Sequence, residues 1–208
     1  IKGRALYKNR LMMLDLIANN NWKRPIYFSG GAYDDEDFLW MKNYLQLDGM
    51  TYKLVPIKTE IPKDASPLEM GGIDTDKMYA NVMKWDWGNS ESLSIYHDPE
   101  TRKNSITYRS YLSRLMNQLI LEGKKEKAKN IITLAMNKMP LEQFGYYSLL
   151  EPFAKGYYDL GENAKAQDLL SKLILKYKEN LKYYSSLTPS DQTSLAIDII
   201  TDIERYRS

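Results

Sequence analysis

The chain has 208 residues, carries 29 basic and 27 acidic side chains for a net charge of +2, and contains no cysteine. That length supports one or two domains with a real core, and the intermixed charges offer no single-sign field to draw in nucleic acid. Without cysteine, disulfides and thiolate metal sites are excluded and the redox compartment is left open.

No apolar run approaches the roughly 20 residues of a spanning helix, and no signal peptide begins the chain. It opens on Ile1-Lys2-Gly3-Arg4 without an initiator methionine, which reads as a piece cut from something larger.

Taken in order, the spacing of Leu6, Leu11, Met13, Leu14, Ile17 and Ala18 predicts an amphipathic helix from Arg4 to about Asn20. Asn19-Asn20-Asn21 ends it, because asparagine tolerates the left-handed conformation of a helix exit. Pro25-Ile26-Tyr27-Phe28-Ser29 reads as a strand buried on both faces. Ser29-Gly30-Gly31 is a turn, Asp34, Asp35 and Glu36 suit the first turn of a helix running to about Leu47, and Asp48-Gly49 breaks that helix. Met50 to Ile57 is a second strand. Helix, strand, glycine turn, helix, strand is the order of a small parallel α/β unit, and two strands are too few to stand alone. The sheet is therefore expected to be completed by amino-terminal residues or by upstream strands.

Ile57 to Gly72 reads as a linker or surface loop. Asp74-Thr75-Asp76 caps a short helix to about Trp85, and Gly88 to Asn104 is an irregular crossing that holds the only histidine, His97.

Between Tyr108 and Tyr177 the chain repeats itself. Leu112, Leu115, Leu119, Gly123, Ala128, Ile132, Ala135 and Pro140 are followed 38 positions later by Leu150, Phe153, Tyr157, Gly161, Ala166, Leu170, Leu173 and Lys178. In each copy a glycine ends one helix and an alanine five residues on opens the next at a close helix approach, so the pattern is an antiparallel helix pair, repeated. This pattern resembles tetratricopeptide repeats, whose usual period of about 34 residues implies roughly one extra turn of chain around Pro140 to Phe144. Thr188-Pro189-Ser190-Asp191 then starts a last helix through Ile197, Ile200 and Ile203, whose apolar stripe would cap the array.

The run from Leu11 to Ser29, with Asn20-Asn21-Trp22-Lys23-Arg24-Pro25-Ile26-Tyr27-Phe28 at its centre, Tyr52 to Ile57, and Asp74-Thr75-Asp76 resemble the carboxy-terminal region of a family of large bacterial multi-pass membrane proteins. These were long catalogued as a domain of unknown function and are related to transmembrane protein O-mannosyltransferases of the GT-C type. The resemblance implies a parent with an amino-terminal bundle of membrane helices that uses a lipid-linked sugar, followed by a soluble region on the extracytoplasmic (periplasmic) face. The family's catalytic carboxylates lie in the membrane part, and no position here corresponds to them.

The fold expected is α+β and predominantly helical: a partial parallel α/β unit over residues 1–72, a linker helix and loop over 73–104, and a tetratricopeptide-like array over 105–208. No catalytic residue, metal or cofactor is expected. Partners are an acceptor protein or glycan and, through the missing part of the parent, the membrane. In a repeat array the inner face of each first helix carries the ligand, and here it presents Ser113, Asn117, Glu151, Lys155 and Tyr158.

The alternative is a small enzyme or nucleotide-binding protein with a pocket of Ser29, Gly30, Gly31, Asp34 and Asp35 at the carboxyl ends of parallel strands. That turn lacks a full glycine fingerprint and a P-loop lysine. The acids from Asp34 to Asp37 read as helix capping rather than a cation site, His97 as a surface or a hydrogen-bonding residue rather than a catalytic one, and Trp85 and Trp87 as anchors to the core rather than a sugar platform.

Overall fold

The structure is a computed structural model that describes residues 7–29, 39–61 and 70–207. Helix α1 spans Lys8–Asn20, and Asn21 leaves it in the left-handed conformation, φ 46°. Three strands follow, β1 (Tyr27–Ser29), β2 (Leu45–Asp48) and β3 (Thr51–Leu54), with a 3-10 turn at Leu39–Tyr44 before β2 and a short strand β4 (Gly72–Ile73) after β3. The sheet order is β1-β3-β2-β4.

This corrects the parallel α/β expectation. β1 and β2 both pair antiparallel with β3, and only β4 runs parallel to β2. The cause is local. Asp48-Gly49 does not break a helix; it turns a hairpin in which Asp48 pairs with Thr51, and Gly49, at φ +68°, is the first loop residue, as primed hairpin turns require. Leu45, Leu47, Tyr52 and Leu54 alternate with half-buried residues and share the buried face. β1 is an edge strand with Tyr27 46 % exposed, not a strand buried on both faces. The expected glycine turn and acidic cluster at Gly30, Gly31, Asp34, Asp35, Glu36 and Asp37 lie outside the described residues.

Helix α2 (Thr75–Val82) begins at Asp74, whose side chain accepts from the Lys77 amide. Helix α3 (Pro99–Leu121) starts earlier than the repeat implied, because Asp98 accepts from the Glu100 and Thr101 amides and Pro99 fits the first helical position. Then come α4 (Lys125–Lys138), α5 (Leu141–Phe144), a 3-10 turn at Tyr147–Leu150, α6 (Glu151–Asp159), α7 (Asn163–Ser185), α8 (Pro189–Ser194) and α9 (Ala196–Arg207). The two hairpins α3–α4 and α6–α7 close identically. Gly123 and Gly161 are left-handed, with Lys124 N–H donating to Leu119 O and Glu162 N–H to Tyr157 O at 2.8 Å each. That is a Schellman end in both copies, a conformation in which glycine carries no Cβ penalty. The 38-residue spacing accommodates α5, the extra turn expected around Pro140 to Phe144.

α3 is the centre. Its middle is buried almost all round, through Arg109, Tyr111, Leu112, Leu115, Met116 and Leu119. On one side Tyr52 of the sheet meets Tyr111 edge-on with ring centroids 5.7 Å apart, and Arg114 donates to the Gly71 carbonyl at 3.0 Å. On the other side α6 approaches so closely that a Cβ on Gly156 would lie 2.4 Å from Met116 Sδ. One hydrophobic core therefore runs from Leu45 of the sheet to Tyr177 of α7.

The two ends differ from expectation. No residue of α1 is fully buried; its apolar stripe is only partly used, with Met13 and Ile17 packed partly on the core while Leu11, Met12 and Leu16 face outward. The carboxy-terminal helix is split at Leu195 into α8 and α9; α9 packs on α7 with Ile203 half-buried, while Ile197 and Ile200 point to solvent. α9 is seated by polar groups: Asp202 accepts from Tyr147 Oη at 2.8 Å and from Asn180 Nδ2 at 3.1 Å.

Candidate functional site

Glu151, Ala154, Lys155 and Tyr158 on α6 fall at helical positions i, i+3, i+4 and i+7, and so do Leu170, Leu173, Ile174 and Tyr177 on α7. The α6–α7 hairpin lays these two stripes side by side, and Arg205 and Tyr206 of α9 add a third wall. The result is a cleft of about 570 Å³. Its floor is Ala154, Leu173 and Tyr177, all nearly inaccessible, and its rim is Tyr158, Ile174 and Tyr206, each about two-fifths exposed.

The polar groups are ordered by one another. Tyr177 Oη donates to Glu151 Oε1, and Arg205 Nη1 faces Glu151 Oε2 at 3.7 Å. The Tyr177 ring is held edge-on to Tyr147, with centroids 4.8 Å apart. Burial, reinforced by the bond to Glu151, pushes the Tyr177 phenol above its ordinary range, so it stays a neutral donor at physiological pH. Tyr147 is raised in the same way by burial and by Asp202. Lys155 reaches along its helix to Asp159 at 2.5 Å.

Of the five residues expected to face a ligand, three meet in this cleft: Glu151, Lys155 and Tyr158. The other two do not. Ser113 is 9 % exposed and spends its hydroxyl on the Ser110 carbonyl at 2.9 Å, while Asn117 is exposed on α3 and lines no part of the cleft. Ser113 is covered because α3 is the core helix, packed round by the sheet, α4 and α6, whereas Asn117 lies on the strip of α3 that stays exposed. Sequence reasoning missed Ile174, Tyr177, Arg205 and Tyr206. The α7 stripe was readable from its spacing, whereas the approach of α9 depends on the Asp202 seat and leaves no periodic signal.

Other expectations resolve simply. Trp85, Trp87 and Tyr108 form one aromatic cluster with centroids 5.4 to 5.7 Å apart, packed on the core as anchors. His97 lies over Phe144 at 4.6 Å, and its Nε2 is 2.9 Å from the Ser90 carbonyl. Of the alternative pocket only Ser29 is described, and it sits in an edge strand paired antiparallel with β3. The strand-end geometry that motivated that pocket belongs to parallel sheets, so its structural ground is removed. Among the described residues no cluster of acids and histidine could hold a metal, and no helix is long and apolar enough to cross a membrane.

Residues 1–77 match the family model described as TMEM260-associated domain 2. The match runs from the amino terminus through the sheet into α2 and stops short of the cleft. No curated protein and no solved structure matches the chain.

Proposed function

We propose that the chain is a non-catalytic, extracytoplasmic domain of a membrane glycosyltransferase and that it positions an acceptor protein or glycan. The observation that carries this reading is the α6–α7–α9 cleft, which gathers Glu151, Lys155 and Tyr158 over an apolar floor. Open grooves along helical arrays are the usual ligand surfaces of such scaffolds. The matched stretch over residues 1–77 supports a place in a membrane protein. The likeness of the block from Asn20 to Phe28 to a GT-C-related family supports the transferase, and the twin Schellman ends at Gly123 and Gly161 support kinship with tetratricopeptide arrays.

Ile174→Arg in the full-length membrane protein tests this. The substitution fills the cleft mouth at a side chain 42 % exposed and so leaves the fold intact. A positioning role predicts a raised acceptor KM with kcat retained. An unchanged KM would contradict it.

A further inference from the structure

The block Asn20-Asn21-Trp22-Lys23-Arg24, which the sequence singles out, takes no part in the cleft and has a shape of its own. Asn21 and Trp22 are both left-handed, at φ 46° and 57°. Asparagine tolerates that conformation, whereas a bulky side chain adopts it only when its surroundings impose it. Asn20 does so: its Nδ2 donates to the Arg24 carbonyl at 2.8 Å, and its carbonyl accepts from the Lys23 amide at 2.9 Å. The tightened turn leaves Trp22 57 % exposed and outside the core, with Lys23 and Arg24 exposed beside it. Helix α1 leads directly into this turn and presents Leu11, Met12 and Leu16 to solvent, each more than half exposed.

The charge around these side chains selects their partner. Six of the chain's 29 basic residues but one of its 27 acids fall within residues 1–29, so the rest of the chain is net negative. That one acid, Asp15, accepts from Asn19 Nδ2 at 3.0 Å. From Lys58 to Lys176 eleven lysines are held in ion pairs, whereas Lys8, Lys23 and Arg24, all exposed, join none among the described residues. Exposed tryptophan and aliphatic side chains set among such cations are the residue set of a lipid interface, where each cation gains from anionic headgroups. Protein interfaces, by contrast, are depleted of lysine.

We propose that the exposed side of α1 and the Trp22–Arg24 turn lie on an anionic lipid surface, with Trp22, Leu11, Met12 and Leu16 entering the headgroup layer and Lys8, Lys23 and Arg24 meeting lipid phosphates. This contact is separate from the cleft and does not depend on what the cleft holds.

Sedimentation of the 208-residue chain with lipid vesicles tests it. Vesicles of phosphatidylglycerol and phosphatidylcholine in equal amounts should carry the chain down at low salt and release it at high salt, while vesicles of phosphatidylcholine alone should leave it in solution. Lys23→Gln combined with Arg24→Gln should weaken binding about 30-fold, and Trp22→Ala about tenfold. Lys125→Gln combined with Lys182→Gln, which removes two exposed cations of α4 and α7, should leave binding unchanged. Each variant should keep the parent's melting temperature, because the side chains removed are exposed. Absence of binding to the anionic vesicles overturns the proposal and leaves the cleft reading standing. Equal binding to both kinds of vesicle overturns the anionic surface, and an equal loss from the α4 and α7 pair overturns the assignment to this turn.

Discussion

Arg109 donates through Nη2 to the carbonyl of Met139 at 2.8 Å, inside the core and 30 residues away in sequence. Its Nη1 donates to the carbonyls of Gly145 and Tyr146, so one fully buried guanidinium ties the end of α4 to the segment that follows α5. A cation is well placed there, because the last carbonyls of a helix are unsatisfied and carry its negative dipole end. Burial pulls the guanidinium down to about 10, which leaves it charged at neutral pH. Arg109→Met strands these carbonyls in the core and should cost about 3 to 5 kcal/mol in urea unfolding. Arg109→Lys should recover little, since one ammonium cannot replace the two-pronged fork. A loss under 1 kcal/mol for Arg109→Met would show that the carbonyls find other partners.

The α3–α6 crossing yields a second prediction. Met116 and Gly156 share one volume, with Met116 filling the space a side chain at 156 would occupy. Gly156→Val should destabilise by about 1 to 3 kcal/mol through overpacking. Met116→Ala alone opens a cavity and should cost about 2 to 5 kcal/mol. The double variant should lose less than the sum of the two, because valine then occupies the vacated space. Strict additivity in a double-mutant cycle would separate the two side chains.

Acid stability gives a third. Asp76 accepts from Lys124 and Lys127 at 2.8 and 2.7 Å, and these bonds lower its carboxyl to about 2. A depressed carboxylate contributes stability that is present above its unfolded pKa of about 3.8 and is lost as pH falls through about 2. Asp76→Asn should therefore flatten the fall in melting temperature between pH 4 and pH 2, and the difference should shrink in high salt because the carboxylate is largely exposed. Superimposable pH profiles of the two proteins would dismiss the contribution.

Helical periodicity made the array legible and misled elsewhere. Leu112 to Leu173 recur because each hairpin buries the same stripe, and Gly123 and Gly161 are needed for the same exit, so the repeat was visible as spacing. The sheet was misread where Gln46-Leu47-Asp48-Gly49-Met50-Thr51 offered both a helix stop and a hairpin turn. The period-2 alternation of Leu45, Leu47, Tyr52 and Leu54 decides between them. Arg109 could not have been picked out, because nothing in a sequence distinguishes a buried arginine from the 28 other cations. The cleft was half legible: the α6 stripe came from the repeat, while Arg205 and Tyr206 arrive through the tertiary contact of Asp202 with Tyr147 and Asn180.

The shared core gives the fourth prediction. Tyr52 and Tyr111 join the sheet to α3, so the chain should unfold in one cooperative transition rather than two. Tyr52→Ala should lower that single melting temperature by removing a buried aromatic worth about 3 to 5 kcal/mol. A chain of residues 73–208 should be less stable than the whole. If it melted unchanged as a soluble monomer, the sheet would be independent of the array.

Hydrogen exchange of the full-length membrane protein, with and without a saturating acceptor protein, tests the proposed role most directly. The cleft reading predicts slowed exchange in residues 151–158, 170–177 and 203–206, with the rates of 45–54 unchanged. Slowing confined to the sheet, or none at saturation, would contradict it.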